Sequence, residues 1–407
     1  MILGGGPNNH RDPGRAKVPT FPFPATSTSR EMLDRLVAFA TVSSNSNLAL
    51  IEFVRNYLDG FGVASSLIYD TSGTKANLYA TIGPTVEGGV VLSGHTDVVP
   101  VEGQNWTSDP WTVTERDGRL YGRGTCDMKG FVATALAQVP DMVRAKLKRP
   151  IHFAFSYDEE IGCVGAPSMI ADMAAHLPRP AAVIVGEPTS MAVVTGQKTT
   201  FSFTTVVRGR PVHSSQIHLG VSAVTNAARL VAFLDDMLRE NMAHPAPDSL
   251  FDPPFTTIHT GMINGGTAHN IVAQECRFVT DIRALPDDDP LSYYDRYRRY
   301  VAEEIEPKMK AIAPEAGVEV AIRAHVPGLV PEPINEAETL CRRLTGDNGL
   351  HAVSYGTEAG QFREPGWDVV VCGPGSIDQA HQPDEFIAVE QLEAGTDFMR
   401  RLIGALS

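Results

Sequence analysis

Five short segments of the sequence carry side chains that can bind a metal ion. The segments are SGHTD, GRGTCDMKG, YDEEIG, VGEPT and QAHQPDE, and they offer His95, Asp127, Glu159 or Glu160, Glu187 and His381. Two imidazoles and three carboxylates form a mixed donor set that suits zinc, with cobalt or manganese as substitutes. A single catalytic site of this kind normally keeps three protein ligands and an open position. Five candidates therefore favour two divalent metal ions that share a carboxylate and activate a water for hydrolysis.

Local backbone geometry gives neighbouring residues different tasks. Residues i and i+2 of an extended segment point the same way, so Asp97 can reach the His95 ring and select its tautomer. Adjacent residues point apart, so Glu159 and Glu160 cannot easily bind one metal together. We expect one of them to bind a metal while the other faces the attacking water as a general base.

Each residue taken alone has an ordinary structural explanation. Most histidines and carboxylates in proteins are surface residues rather than ligands. Asp127 could cap the helix that follows it, and Glu187 could be a solvated loop charge. The combination is the stronger signal, because each residue lies beside glycine where a strand or loop is predicted to break.

A layered α/β arrangement is needed to bring these segments together. Buried strands are predicted within 89–100, 151–157 and 181–185, and helices at 30–39, 48–61, 130–143 and 168–176. Loops at the carboxyl edges of parallel strands converge on one crevice, so residues distant in sequence can meet there. The alternation predicts a mixed sheet with helices on both faces.

The pattern changes near Gly196. Alternating strands are predicted at 198–208, 276–283 and 318–325, with helices at 221–239 and 291–311, which is typical of a ferredoxin-like α+β unit. Helix and buried strand return at 337–345 and 369–372. We therefore expect an α/β catalytic domain at 29–196 and 327–407, interrupted by an inserted α+β domain at 197–326.

Composition excludes several classes of function. The chain has 407 residues, with 34 Lys and Arg against 48 Asp and Glu, and its net charge of −14 disfavours nucleic acid as a partner. No apolar run approaches the roughly 20 residues that a membrane span requires. Five cysteines without a CxxC pair indicate a reducing compartment, and we expect a cytoplasmic protein. Residues 1–28 have no apolar core of a secretory signal and are expected to form a flexible leader.

The motifs together resemble the co-catalytic dizinc metallopeptidase family, which includes deacetylases, desuccinylases, carboxypeptidases and aminoacylases. The resemblance rests on HTD at 95–97, GTCDMKG at 124–130, DEE at 158–160, GEPT at 186–189 and the late His381, all in the family's order. It implies that Asp127 bridges two metals, that His95 and Glu187 complete one site, and that Glu160 and His381 complete the other. It also implies that Glu159 is the general base.

The same resemblance implies that the inserted domain is a lid through which two copies form a homodimer. His213, in RPVHSS, then donates to the substrate carbonyl, from its own subunit or from the partner. Asn270 in GGTAHN and Arg283 in TDIRALP hold the substrate carboxylate, for which an arginine fork is well shaped. Without the resemblance, His213 is a surface histidine and Arg283 is equally well explained as a solvated charge.

Two C-terminal segments, GTEAG at 356–360 and 372–386, resemble the family members that deacetylate N2-acetylornithine to ornithine and acetate in arginine biosynthesis. Glu358 is then expected to pair with the cationic ornithine side chain, or to position a neighbouring group. Alternatives are another N-acyl-amino-acid deacylase, such as a succinyl-diaminopimelate desuccinylase, or a metallocarboxypeptidase or dipeptidase. A non-catalytic binding scaffold is an alternative of a different class.

Overall fold

The computed structural model describes residues 27–407, so almost all of the expected leader at 1–28 lies outside the described residues. Within that range, no helix has the length and apolar character needed to cross a membrane. The strands are β1 (Ser65–Tyr69), β2 (Ala76–Ile82), β3 (Val90–His95), β4 (Thr114–Arg116), β5 (Arg119–Tyr121), β6 (Ile151–Ser156), β7 (Ala182–Val185), β8 (Val194–Gln197), β9 (Thr199–Arg208), β10 (Thr257–Gly265), β11 (Glu275–Ala284), β12 (Gly317–Val326), β13 (His351–Val353), β14 (Val369–Val371) and β15 (Phe386–Ala388). The helices are α1 (Ser29–Val37), α2 (Leu48–Asp59), α3 (Lys129–Ala137), α4 (Val139–Arg144), α5 (Ala166–His176), α6 (Ala223–Ala243), α7 (Pro290–Tyr300), α8 (Glu306–Lys310), α9 (Glu336–Thr345), α10 (Ala359–Arg363) and α11 (Val389–Leu406).

The large sheet is mixed and has the strand order β1-β2-β6-β3-β7-β14-β8-β13. Its centre, β6-β3-β7-β14, is parallel, whereas β1 and β2 pair antiparallel at one side. Because alternate residues of a strand point to opposite faces, Val90 and Leu92 join one buried cluster and Val91 joins another. Helices α1, α3 and α11 supply the first cluster and α5 and α10 the second. The predicted mixed sheet with helices on both faces is confirmed.

A second sheet is antiparallel with the order β10-β11-β9-β12. The chain passes through β9, α6, β10, β11, α7 and β12 in turn, and this connection and strand order are those of the ferredoxin-like fold. Residues Thr199 to Val326, hereafter the ferredoxin-like unit, have a core of their own that includes Phe203, Leu230 and Tyr297. A small third sheet, β15-β5-β4, joins the C-terminal segment to the part before α3.

Two predicted helices are interrupted. The helix expected at 130–143 ends at Ala137 and a new one begins at Val139, because Pro140 has no N–H to continue the hydrogen bonding. The helix expected at 291–311 contains a π-helical turn at Val301–Ile305, followed by Pro307 in the first turn of α8. The sequence patterns do not predict helices α10 and α11 or the strands β1, β2, β4, β5, β8, β10, β13 and β15.

Candidate metal centre

Three neighbouring strands deliver four of the candidate ligands to one edge of the large sheet. His95 is the last residue of β3, Glu159 and Glu160 follow β6, and Glu187 follows β7. Since β6, β3 and β7 are adjacent and parallel, their carboxyl ends lie side by side. The expected convergence of these loops is present.

Glycine is required next to Glu187. A Cβ on Gly186 would lie 2.1 Å from the ring of Phe131 on α3, closer than any real contact. The backbone that carries Glu187 therefore packs directly against the aromatic ring of the helix that follows Asp127.

Asp127 lies between the two histidines. Its Oδ1 is 3.0 Å from His95 Nε2, and its Oδ2 is 3.4 Å from His381 Nε2. His95 Nε2 also lies 3.7 Å from Glu187 Oε1, and His381 Nε2 lies 2.9 Å from Glu160 Oε2. One carboxylate thus presents each of its oxygens to a different histidine and carboxylate pair.

The His95 ring is oriented by main chain rather than by a side chain. Its Nδ1 donates to the carbonyl oxygen of Asp97 at 2.9 Å, while the Asp97 carboxylate is 3.7 Å away. Since a carbonyl can only accept, Nδ1 carries a proton, and the neutral ring would offer the lone pair of Nε2 to a metal. The Asp97 carboxylate was expected to select the His95 tautomer. In the structure, the backbone carbonyl of Asp97 makes that hydrogen bond instead.

The Asp97 carboxylate instead supports the loop after β6. It accepts the backbone N–H groups of Glu159 at 3.2 Å and Glu160 at 3.4 Å, and the Ser43 hydroxyl at 2.7 Å. These hydrogen bonds connect the end of β3 to the loop that carries both glutamates. Asp97 therefore lies behind the two glutamates and holds their backbone.

Glu159 and Glu160 are directed to different partners, as adjacent residues should be. Glu160 faces His381, whereas Glu159 Oε1 accepts the thiol of Cys163 at 3.2 Å. Burial raises the pKa of Glu159 to about 8, and the negative charge of Glu160 adds to that shift. Burial, followed by the charge of Asp127, raises the pKa of Glu160 to about 7.

The donor set fits divalent metal ions on charge as well as on distance. Burial raises the pKa of the Glu187 carboxyl, and the charge of Asp127 raises it further. Burial opposes a charged His95, but its hydrogen bond to Asp127 and the charge of Glu187 still raise the pKa of that imidazole. Crowded carboxylates that raise each other's pKa are stabilised by a cation among them.

Among the described residues, two sets of three side chains could each hold a metal ion. One set is His95, Asp127 and Glu160, and the other is His95, Glu159 and Glu187. Within each set, the donor atoms lie within 4.8 Å of one another. Glu159, expected as a base, is therefore also within ligand reach of the second set. The distances suit one or two ions held by imidazole and carboxylate.

A cavity of about 500 Å³ opens over these ligands and is lined in part by Glu159, Cys163, Arg283 and Tyr355. Arg283 projects from β11 of the ferredoxin-like unit, donating to Asp281 at 2.8 Å and to Thr200 at 2.8 Å. One guanidinium from the second sheet thus faces the metal-binding edge of the first.

Five expected site residues do not line this cavity in the described part of the chain. They are His95 and Asp97, which lie beneath it at the end of β3, and His213, Asn270 and Glu358. His213 and Asn270 are exposed and lie next to each other elsewhere in the ferredoxin-like unit, where Ser214 N–H donates to the Asn270 carbonyl. His213 Nδ1 accepts the Ser215 N–H at 3.2 Å, which leaves Nε2 as the donor. Glu358 is only 1% exposed and accepts the Ser93 hydroxyl at 3.2 Å, so its carboxylate points into the protein rather than into the cavity.

Sequence reasoning did not assign Cys163 or Tyr355 to the site. Burial strongly raises the pKa of both groups, with the charge of Glu159 contributing for Cys163 and that of Glu187 for Tyr355. Cys163 follows the paired glutamates by only a few residues, but its left-handed backbone at φ 53° has no sequence signal. Tyr355 precedes the GTEAG segment, and proximity to that motif was the available signal.

Residues 91–405 match the profile of peptidase family M20/M25/M40. The chain belongs to this family. It is a metal-dependent hydrolase that acts on amide bonds.

Similar proteins agree with this assignment. Acetylornithine deacetylase of Pasteurella multocida (strain Pm70) is 33% identical over 401 residues, which is 95% of this chain and 98% of that protein. The protein of the same name from Myxococcus xanthus is 35% identical over 378 residues, covering 89% of this chain and 93% of that one.

Solved structures share the fold at lower identity. An M20 family metallo-carboxypeptidase from Sulfolobus solfataricus has a TM-score of 0.75 at 17% identity, covering 93% of this chain and 98% of that one. Human carnosine dipeptidase 1 has a TM-score of 0.72 at 17% identity, covering 92% and 96%. A family member from Bacillus subtilis, described as a dinuclear metal-binding peptidase, has a TM-score of 0.63 at 17% identity, covering 93% and 97%.

Metal binding is expected to stabilise the folded chain. At a free zinc concentration of one hundred times Kd, one bound ion raises the free energy of unfolding by about 2.7 kcal/mol. Urea denaturation after chelation, with and without added zinc, measures this gain. His95→Ala should lose most of it, and the exposed His176→Ala should keep it. An equal gain in both variants would mean that zinc binds elsewhere.

Proposed function

We propose that the chain removes the acetyl group from N2-acetylornithine, giving ornithine and acetate, as a step of arginine biosynthesis in the cytoplasm. The proposal rests on one observation: relatives named acetylornithine deacetylase are 33–35% identical to this chain over 88–95% of its length. The cavity between imidazole and carboxylate ligands on one side and Arg283 on the other supports an amide substrate with a free carboxylate. Five buried cysteines without a disulfide support a reducing compartment.

The ligand set that we propose holds two divalent ions, zinc in the first place. Asp127 is shared, His95 and Glu187 complete one site, and Glu160 and His381 complete the other. The distances from the two Asp127 oxygens to the two histidines support this division. Bound there, the ions would lower the pKa of a water and polarise the amide carbonyl.

Glu159 is proposed as the general base. It lines the cavity beside the proposed ligands Glu160 and Glu187, within reach of a water bound there. It takes a proton from the attacking water and then donates it to the leaving amine nitrogen. Asp97 keeps Glu159 in place through its backbone N–H.

Arg283 is proposed to hold the substrate carboxylate, with Asn270 as a second contact. His213 is proposed to donate from Nε2 to the carbonyl oxygen as negative charge develops there. The pairing of Glu358 with the ornithine ammonium stays a prediction, and its burial against Ser93 better supports a positioning role.

A homodimer through the ferredoxin-like unit is proposed to bring His213 and Asn270 to the cavity. Both residues are exposed, and the same unit exposes apolar side chains on β10 and near Asn270, with Met262 62%, Ile263 50% and Ile271 45% exposed. Strand β10 is also an edge of its sheet, with backbone groups available for a second copy. Dimer formation would then bury these exposed apolar side chains and, in the same step, add His213 and Asn270 to the cavity.

Steady-state kinetics with three substrates test the reaction. N2-acetylornithine is expected to exceed N-succinyl-diaminopimelate and N-acetylmethionine in kcat/KM, and chelation is expected to abolish turnover until zinc or cobalt is restored. A higher kcat/KM for another acyl amino acid would contradict the substrate while keeping the chemistry. Hydrolysis unaffected by chelation would contradict the mechanism.

Glu159→Ala is expected to lower kcat by about 10²- to 10⁴-fold because the proton transfer is lost. The metal content should remain near that of the unmodified chain. His381→Ala, by contrast, should weaken metal binding itself. Elemental analysis after dialysis separates the two effects, and substantial turnover by Glu159→Ala would refute the base.

Mixing two inactive variants tests the shared site. In a dimer of one Glu159→Ala and one His213→Ala subunit, one of the two cavities has both groups intact if His213 comes from the partner. Random mixing makes about half of the dimers mixed, so about a quarter of full activity should be restored. Activity measured before and after joint refolding gives the result. No recovery, in a mixture shown to contain the mixed dimer, would mean that His213 acts within its own subunit or not at all.

A further inference from the structure

A buried carboxylate with no role in the steps above, Glu385, lies directly behind Asp127. Its Oε1 accepts the backbone N–H groups of Cys126 at 2.9 Å and Asp127 at 3.0 Å. Its Oε2 accepts the Gly124 N–H at 2.9 Å and the Arg123 guanidinium at 2.7 Å. Glu385 and Arg123 are each 1% exposed.

These contacts leave Glu385 no capacity to bind a metal. A carboxylate has about four lone-pair sites, and four donors occupy them here. Its main chain takes part as well, because the Glu385 carbonyl accepts the Gly122 N–H at 2.9 Å. The segment 122–127 therefore has its backbone direction set by a residue that is distant in sequence.

Arg123 extends the same network to the His381 main chain. Its other terminal nitrogen donates to Gln104 Oε1, and Gln104 Nε2 donates to the His381 carbonyl at 3.0 Å. The Trp106 ring lies 5.1 Å from the guanidinium carbon, and its indole N–H donates to the same Gln104 oxygen at 3.1 Å. One guanidinium thus connects the backbone beside Asp127 with the backbone of His381.

His381 needs such support. Its backbone is left-handed, with φ 62°, a conformation that is unfavourable for a side-chain-bearing residue. Its side chain is 54% exposed, so packing restrains it little. The hydrogen bond from Gln104 therefore restrains the His381 backbone, while Glu160 contacts the imidazole.

We infer that Glu385, Arg123 and Gln104 are positioning residues that set the Asp127 carboxylate and the His381 imidazole at the separation two metal ions require. The inference rests on the proposed two-metal site. A different explanation is that the buried Arg123–Glu385 pair only stabilises the fold. Metal affinity, measured apart from activity, distinguishes the two.

Cobalt(II) titration of the chelated protein, followed by calorimetry and by the visible absorption of the bound ion, is the test. Glu385→Gln replaces one acceptor oxygen with an amide that donates towards backbone N–H groups. Because Asp127 is shared, both ions should bind about 10- to 100-fold more weakly. Gln104→Leu removes the hydrogen bond to His381 and one acceptor of Arg123, but leaves all four donors to Glu385 in place. The ion on the His381 side should therefore be weakened and the other retained.

Leu230→Ala is the matched control for general destabilisation. Leu230 is fully buried on α6 in the core of the ferredoxin-like unit, away from the network. This variant should unfold at lower urea concentration while binding cobalt with unchanged affinity and spectrum. If it loses cobalt affinity as Glu385→Gln does, the network is only structural and the inference is wrong.

The remaining outcomes are also decisive. Two ions bound by Glu385→Gln with unchanged affinity would overturn the inference and leave the metal site intact. No cobalt bound by the unmodified chain would overturn the proposed metal site itself. If Glu385→Gln does not fold, Gln104→Leu decides, because Gln104 is partly exposed and its replacement leaves the buried ion pair in place. Unchanged binding of both ions by Gln104→Leu would then count against the network.

Discussion

Several carboxyl groups are buried together at one edge of the large sheet, and neighbouring segments are arranged around them. Asp127, Glu159, Glu160 and Glu187 lie within a few ångströms of one another with only two imidazoles to balance them. Burial and mutual repulsion raise the pKa of the three glutamates, which is unfavourable unless cations share the site. Divalent ions bound among these carboxylates would relieve that repulsion.

The fold holds these groups together through supports that are not ligands. Asp97 holds the two glutamates by their backbone, and Glu385 holds the backbone of Asp127. Several residues at the site have left-handed backbones without being glycine, among them Asp158, Cys163 and His381. Such conformations persist only where surrounding hydrogen bonds compensate their cost, and here those bonds come from distant segments.

Much of the fold was predictable because buried strands and amphipathic helices have clear periodicity. The strands that carry His95, Glu159 and Glu187 and the ferredoxin-like unit follow from such patterns. Strand β1 is harder to predict because it lies at the edge of the large sheet. Its residues are almost all half-buried, so buried and exposed positions do not alternate along it. Helix α11 does carry a sequence signal, because Leu392, Phe398, Met399 and Leu402 are at helical spacing.

The donor types, their position where strands and loops meet, and so the class of chemistry can be read from the amino-acid sequence. Which groups meet depends on the folded chain: the Asp127 oxygens face two different histidines, the Asp97 carbonyl rather than its carboxylate orients His95, and Glu358 turns inward. The folded chain also separates His213 and Asn270 from the cavity and brings Glu385 to Asp127. The physical reason is that residue type and spacing specify local geometry, whereas distances between remote segments depend on strand order and packing.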